Sequence, residues 1–158
     1  MKFIADSMLG RLAKLLRLLG HDTLYYPHID DALLLRTARE DSRILLTRDT
    51  RLVKVRGLRN FLLIKENDPF KQLKVVIQAF NLSVTPGPDT EGAVPMSRCA
   101  VCNTLLNIVR KEDIKDSVPE YVYRTSDAFN QCPDCARLYW KGTHPEKFRK
   151  KLSDILNS

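Results

Sequence analysis

Ile44-Leu45-Leu46-Thr47-Arg48-Asp49 decides how this chain is read. The first four residues show no alternation of apolar and polar, so the strand they make must be covered on both faces. The strand then stops at a charged pair, with an acid where it hands over to a loop. The chain opens in the same way, with Lys2-Phe3-Ile4-Ala5 running into Asp6.

Helical patterns lie between these strands. Ser7 is placed to cap a helix reaching about Leu19, with Leu9, Leu12, Leu15, Leu16 and Leu19 on its apolar side. Arg11, Lys14 and Arg17 recur every third residue and are expected to form a basic face. Gly20 follows as the residue that ends such a helix in a left-handed conformation. Residues 22–26 read as a second strand. Asp30 and Asp31 open a second helix that carries Leu34, Leu35 and Ala38 inward and closes near Asp41. After Asp49 a short turn or helical segment leads to Gly57, and Phe61-Leu62-Leu63-Ile64 supplies a fourth strand. Asn67 or Asp68 then caps a helix with Pro69 in its first turn and a stripe of Leu73, Val76, Ile77 and Phe80. Short apolar strands alternating with amphipathic helices specify an α/β fold with a parallel sheet and helices on both faces.

Residues 84–95 hold three prolines and two glycines and show no apolar period. They are expected to separate a first domain, 1–83, from a second, 97–158, with 84–96 as linker. The second domain contains every cysteine of the chain, as Cys99-Ala-Val-Cys102 and Cys132-Pro-Asp-Cys135. Two CxxC turns can each aim two thiolates at one ion, which is the arrangement of a structural Zn²⁺ site. The same spacing also fits two redox pairs, two disulfides or a Cys₄ iron centre. Leu105, Ile108 and Val109 can pair with Val118 and Tyr121-Val122-Tyr123 as short strands of a ribbon. Thr143 with Glu146 resembles a capping box for a last helix carrying Phe148, Leu152 and Ile155. Tyr139 and Trp140 could stack on unpaired bases or complete a small core, and the core is the expectation. His21, His28 and His144 show no ligand spacing that the cysteines leave unfilled.

Across 158 residues the formal charge is +7, and it is uneven. Residues 1–85 hold 15 Lys and Arg against 9 Asp and Glu, whereas residues 86–158 hold 11 against 10. The surplus favours a polyanionic partner, nucleic acid before others. Apolar runs are too short and too often broken by Arg11, Lys14 and Arg17 for a membrane span, and no signal-peptide pattern opens the chain. A cytoplasmic setting, where thiols stay reduced, is the expectation.

Asp6 and Asp49 follow strands, and Asp31 heads a helix. Ligands of open parallel sheets lie outside the carboxyl ends of the strands. Right-handed crossovers would therefore bring such acids to one edge, where their mutual repulsion favours Mg²⁺ or Mn²⁺. Each acid also has a plain structural use. Asp30 and Asp31 compete to cap the same helix, Asp49 could start a turn, and Asp68 fits a cap before Pro69. Thr47 could pack or position water. Arg48 and Arg51 could clamp phosphates, and Lys54, Arg56 and Arg59 continue that basic run.

The run Phe3-Ile-Ala-Asp6, Leu9-Gly10-Arg11-Leu12-Ala13, Leu15-Leu16-Arg17 and Leu19-Gly20 resembles the opening of the Mut7-C ribonuclease domain. Asp30-Asp31 leading to Leu34 and Ala38, and Ile44-Leu45-Leu46-Thr47-Arg48-Asp49, continue the likeness. So do Arg98-Cys99-x-x-Cys102-Asn103, Cys132-x-x-Cys135 and Tyr139-Trp140-x-Gly142-x-His144. The resemblance covers almost the whole chain. It implies a PIN-like three-layer α/β/α domain with a parallel sheet, followed by a small zinc ribbon. It further implies ribonuclease activity, with Asp6, Asp31 and Asp49 matching the family's acids and Asp30 the alternative to Asp31. Two departures stand out. Arg51 and Leu52 occupy the last two positions of the family's Thr-x-Asp-x-Asp-Phe segment, and Asp22 is the only carboxylate between Asp6 and Asp30, where a helical Glu is expected.

These observations support a metal-dependent ribonuclease acting on single-stranded or structured RNA, and they leave DNA open beside RNA. Its acids would be Asp6, Asp31 and Asp49 with Mg²⁺ or Mn²⁺, and Cys99, Cys102, Cys132 and Cys135 would hold structural Zn²⁺. The alternative is an RNA-binding or adaptor protein with a degraded nuclease site.

Overall fold

The computed structural model describes residues 1–84, 96–140 and 143–157, and for 143–145 it describes the backbone alone. Packing divides the chain into two compact units, Met1–Asn103 and Thr104–Ser158. Residues 96–103, with the first cysteine pair, therefore belong to the first unit. Most of the expected linker lies outside the described residues, as do the side chains of Thr143, the first residue of the expected Thr143–Glu146 capping box, and of His144.

The first unit is built on strands β1 (Lys2–Ala5), β2 (Asp22–Tyr25), β3 (Ile44–Thr47) and β4 (Phe61–Leu63). All neighbouring strands are parallel, in the order β2-β1-β3-β4. Phe3, Ile4, Ala5, Leu45 and Leu46 are fully buried, as strands covered on both faces require. One cover is α2 (Asp31–Glu40), whose Leu34 and Ala38 pack with Ile4, Leu45 and Leu52. The other holds α1 (Gly10–Leu18) and α3 (Pro69–Phe80), which pack together, and the Phe80 ring meets Phe3 edge-on at 5.6 Å. Short connections, one per crossover, produce the three-layer α/β/α arrangement expected from the sequence.

Helix ends follow local chemistry. Asp68 accepts from the N–H groups of Phe70 and Lys71, with Pro69 in the first turn. Asp30 accepts from Leu33 N–H, so it caps α2 and Asp31 is that helix's first residue. The first helix departs from expectation: Asp6 rather than Ser7 caps a 3₁₀ turn over Ser7–Leu9, and α1 follows at Gly10. Gly20 ends the segment at φ +88°, a conformation that costs other residues more.

The second unit carries an antiparallel sheet of β5 (Asn107–Val109), β6 (Phe129–Gln131) and β7 (Leu138–Trp140), in that order. Its core is Ile114, Val122 and Phe129, with Val118 and Trp140 packed against them. Residues 121–123 are not a strand. They lie in α4 (Glu120–Thr125), where Pro119 leads the first turn, Val122 faces inward and an Arg124–Glu120 ion pair joins i and i+4. A short apolar run with no flanking alternation cannot be assigned by period alone. Helix α5 (Thr143–Leu156) buries Leu152, with Phe148 and Ile155 half-buried on the same stripe. Trp140 sits 6.4 Å from Phe129, centroid to centroid, in the packing role expected of it.

Candidate functional site

The strand order places a topological switch point between β1 and β3, because β2 lies to one side of β1 and β3 to the other. Asp6 stands at the carboxyl end of β1, beside β3, and its N–H bonds Leu46 O at 3.0 Å. Its carboxylate is buried and fully engaged. One oxygen accepts from Met8 N–H at 2.9 Å, and the other accepts from the Thr47 hydroxyl at 2.5 Å and Arg48 N–H at 2.9 Å. Thr47 is itself wholly buried, and its oxygen accepts from Asp49 N–H at 3.0 Å. The threonine hydroxyl thus links the two expected acids in series, donating to the Asp6 carboxylate and accepting from the Asp49 backbone.

Asp49 is held by Arg51. One carboxylate oxygen accepts from Arg51 N–H at 2.7 Å and from Nε at 3.3 Å, and the other accepts from Nη2 at 3.0 Å. These bonds hold the Asp49 carboxyl below the usual carboxylate range and push the Arg51 guanidinium up. Asp31 adds a smaller attraction to the same guanidinium. Arg51, the residue that stands where an acid was expected, therefore supplies a positive charge to the acids around it. Asp6, Asp31 and Asp49 do not form a group of donors gathered on one point among the described residues. As arranged here they do not fit a single cation.

Asp22 is placed elsewhere. It pairs with Lys2 at the amino end of the sheet, bonds Arg43 at 2.7 Å and accepts from Asn103 Nδ2 at 2.9 Å. Although burial would raise it, these partners hold its carboxyl low. A parallel sheet keeps its two ends a strand's length apart, so Asp22 cannot stand in for the missing helical Glu.

A cleft of about 430 Å³ opens at the carboxyl end, lined by residues that follow β1 and β3, by Tyr25 at the end of β2, and by parts of α1 and the start of α3. Arg11, Lys14 and Arg48 supply three cations, and among the described residues no carboxylate lines it. Arg48 joins this cleft to the acidic edge, since its backbone N–H binds Asp6 while its Nη2 donates to Asn67 Oδ1 at 2.5 Å. The basic face expected on the first helix is only partly there. Arg11 and Lys14 are exposed, but Arg17 is buried and donates to Thr23 O at 2.8 Å, Ala100 O at 3.1 Å and Val101 O at 2.8 Å.

The cysteines make the clearer centre. None of the four is in a disulfide, and their Sγ atoms lie within 4.8 Å of one another. Tetrahedral Zn–S bonds of about 2.3 Å set the sulfurs about 3.8 Å apart, so the set fits Zn²⁺ and not two separate disulfides. The two turns share one backbone plan. Asn103 N–H donates to Cys99 O, and Ala136 N–H donates to Cys132 O, each at 2.9 Å. Both donors lie just past the second cysteine and both are left-handed, at φ +67° and +60°. In the first turn Cys102 N–H also donates to Cys99 Sγ at 3.3 Å, which stabilises a thiolate. With the small antiparallel sheet, the cluster forms a zinc-ribbon-like element.

Sequence reasoning named Arg98 and Asn103 only as part of the family likeness and missed that they seat the first turn. Asn103 Oδ1 accepts from Thr23 N–H at 3.0 Å, on the open side of the edge strand β2. Arg98 donates to Gly20 O at 3.2 Å and to Asn103 O at 2.9 Å. Burial pulls the Arg17 guanidinium down, and the charges of Cys99, Cys102 and Asp22 pull it back.

A three-layer α/β/α unit with acids and a basic cleft at one sheet end, followed by a cysteine-bearing ribbon, has the architecture of the PIN-like nucleases. The family model described as the Mut7-C RNAse domain matches residues 1–152. The chain belongs to the Mut7-C RNAse domain family. No curated protein matches it, and no solved structure matches it. No helix among the described residues is long and apolar enough to cross a membrane.

Proposed function

We propose that the chain is a metal-dependent ribonuclease of the cytoplasm that cleaves phosphodiester bonds of single-stranded or structured RNA. The observation that carries this reading is the position of Asp6 and Asp49 at the β1/β3 switch point, beside a cleft lined by three cations. Mg²⁺ or Mn²⁺, when bound, would neutralise the acids and lower the barrier to attack on phosphorus. Asp6 holds Thr47 and Arg48 in place. Asp31 and Asp49 are the acids that Arg51 would have to release. The Arg51 side chain is 88% exposed, and an exposed pair of this kind gains little in water, so the release is cheap. Arg48 and, once released, Arg51 would hold phosphate oxygens.

Labelled structured RNA, incubated with the zinc-loaded protein and Mn²⁺, tests the reading. Asp49→Asn is expected to abolish cleavage with folding intact. Cleavage by that variant at the wild-type rate would remove Asp49 from the mechanism. The variant is a sharper control than a chelator, which would also withdraw zinc.

The Arg51 clasp on Asp49 favours a second reading, an RNA-binding or adaptor protein whose nuclease site no longer turns over. It expects salt-sensitive RNA binding without divalent ions and no products with any of several RNAs. Mn²⁺-dependent cleavage lost in a single Asp variant would end it.

A further inference from the structure

The cleft at the carboxyl end of the sheet contains more than charge. Gly10 lets the Tyr25 ring lie against the start of α1, since a Cβ there would stand 2.7 Å from ring carbon Cζ. The Tyr25 hydroxyl donates to Ser7 O at 3.2 Å, which fixes the ring as part of the cleft wall. On the far wall, the Gln72 amide is buried and donates to Glu66 O at 2.9 Å, so the start of α3 is also held in place. Asn67 restrains the Arg48 guanidinium over the opening. One wall is thus aromatic, the others carry cations and amides, and the volume lies within the range that encloses a small ligand.

We propose that this cleft is a nucleotide subsite: it takes one unpaired nucleotide of a single strand, with the phosphate against Arg11, Lys14 and Arg48 and the base toward Tyr25. The identity of the polymer rests on the nuclease reading, whereas the subsite itself does not. Three cations, with no carboxylate among the described lining residues, suit a phosphate, which a guanidinium can grip through two parallel N–H bonds. An aromatic face accepts any base, so the subsite would select unpaired strands rather than a sequence. Because Arg48 N–H also holds Asp6, a nucleotide seated here places its neighbour in the strand next to the acidic edge.

The test is calorimetric titration of the full, zinc-loaded protein with AMP, adenosine and inorganic phosphate, in buffer without divalent cations or chelator. AMP is expected to bind at least about tenfold more tightly than either part of itself, a preference that corresponds to ~1.4 kcal/mol. Arg11→Gln with Lys14→Gln is expected to weaken AMP by at least about tenfold. Lys2→Gln with Arg36→Gln, which removes the same charge from the amino end of the sheet and from α2, is expected to leave AMP unchanged. Gly10→Ala, which displaces the Tyr25 ring, is expected to erase the advantage of AMP over phosphate while phosphate itself still binds. Equal affinity for AMP and inorganic phosphate would overturn the subsite, as would equal losses in the two double variants or no AMP binding at all. The titration involves neither turnover nor a divalent ion. Its failure therefore leaves the nuclease reading standing, and a failure to cleave RNA leaves the titration untouched.

Discussion

The two ends of the parallel sheet in the first unit are finished in opposite ways. At the amino end, the open side of β2 is covered by Asn103, buried Arg17 fills three carbonyls, and Arg43 joins Asp22 to Phe3 O. Apart from the Arg17–Thr23 bond, those bonds connect residues 21 to 84 positions apart. At the carboxyl end the Asp6–Thr47–Arg48 set reaches across strands, with Asp6 and Thr47 buried. Beyond it, Asp49 and Arg51 satisfy each other two residues apart, and the cleft beside them is open. The closed end holds the fold, whereas the open end keeps charges that a ligand can use.

Withdrawing the metal should break that contrast most severely. Binding of a structural zinc contributes on the order of 10 kcal/mol to the fold that holds it. Cys99→Ser removes one thiolate and loosens a turn that belongs to the first unit, so zinc content and the cooperative melt should fall together. A variant that loses zinc and melts like the wild type would show that the first turn is seated without the ion.

Arg17 comes next. Arg17→Met keeps much of the side-chain volume but leaves three carbonyls without their donor, at a cost of about 3 kcal/mol in urea unfolding. Arg17→Lys should not restore the loss, because a single ammonium cannot serve three acceptors with the geometry of a planar fork. Full rescue by lysine would mean that charge beside the thiolates, rather than shape, is what the site needs.

This residue also marks how far the sequence could be read. The four strands, their helices and the Asp68–Pro69 cap were legible because burial imposes period and because caps are local. Arg17 was not. Steps of three residues drift about 60° backwards around a helix, so Arg17 stands about 120° from Arg11, on the flank of the buried stripe. Its partners, Ala100 and Val101, lie more than 80 residues away. The four cysteines converge as their spacing implied, since a thiolate in a tight CxxC turn has few other uses. An aspartate has many uses, and the three expected acids illustrate them: Asp6 caps a turn and staples two strands, Asp49 pairs with Arg51, and Asp31 follows a neighbour that caps in its place. Their positions at the carboxyl end were legible, but their partners were not.

His21 offers a finer probe of the closed end. It is buried, neither ring nitrogen has a hydrogen-bond partner, and the Phe3 ring stands edge-on at 6.0 Å. Burial first, then the N-terminal ammonium and Arg98, lower its pKa from 6.5 to about 4. The folded state therefore resists a proton that the unfolded chain accepts. Stability from this residue is complete above pH 6.5, declines as pH falls towards 4, and is level below that. The loss is on the order of 3 kcal/mol, and His21→Leu should flatten that part of the pH–stability curve. An unchanged curve in the variant would assign the acid sensitivity to other groups.

The smallest effect on stability, and the most informative about the open end, is expected from Arg51→Ala. An exposed side chain paired only with a near neighbour in sequence should leave the melting temperature essentially where it was. Its removal, however, takes away the positive charge that Asp49 and Asp31 share, and their repulsion then favours a divalent cation more strongly. Mn²⁺ titrated into the zinc-loaded variant should bind severalfold more tightly than to the wild type, and Asp49→Asn added to Arg51→Ala should cancel the gain. A large drop in melting temperature would mean that this end is closed after all, with Arg51 as one of its fastenings. Unchanged Mn²⁺ affinity with an unchanged melt would mean that the acids are too far apart to share an ion whether or not the guanidinium stands between them.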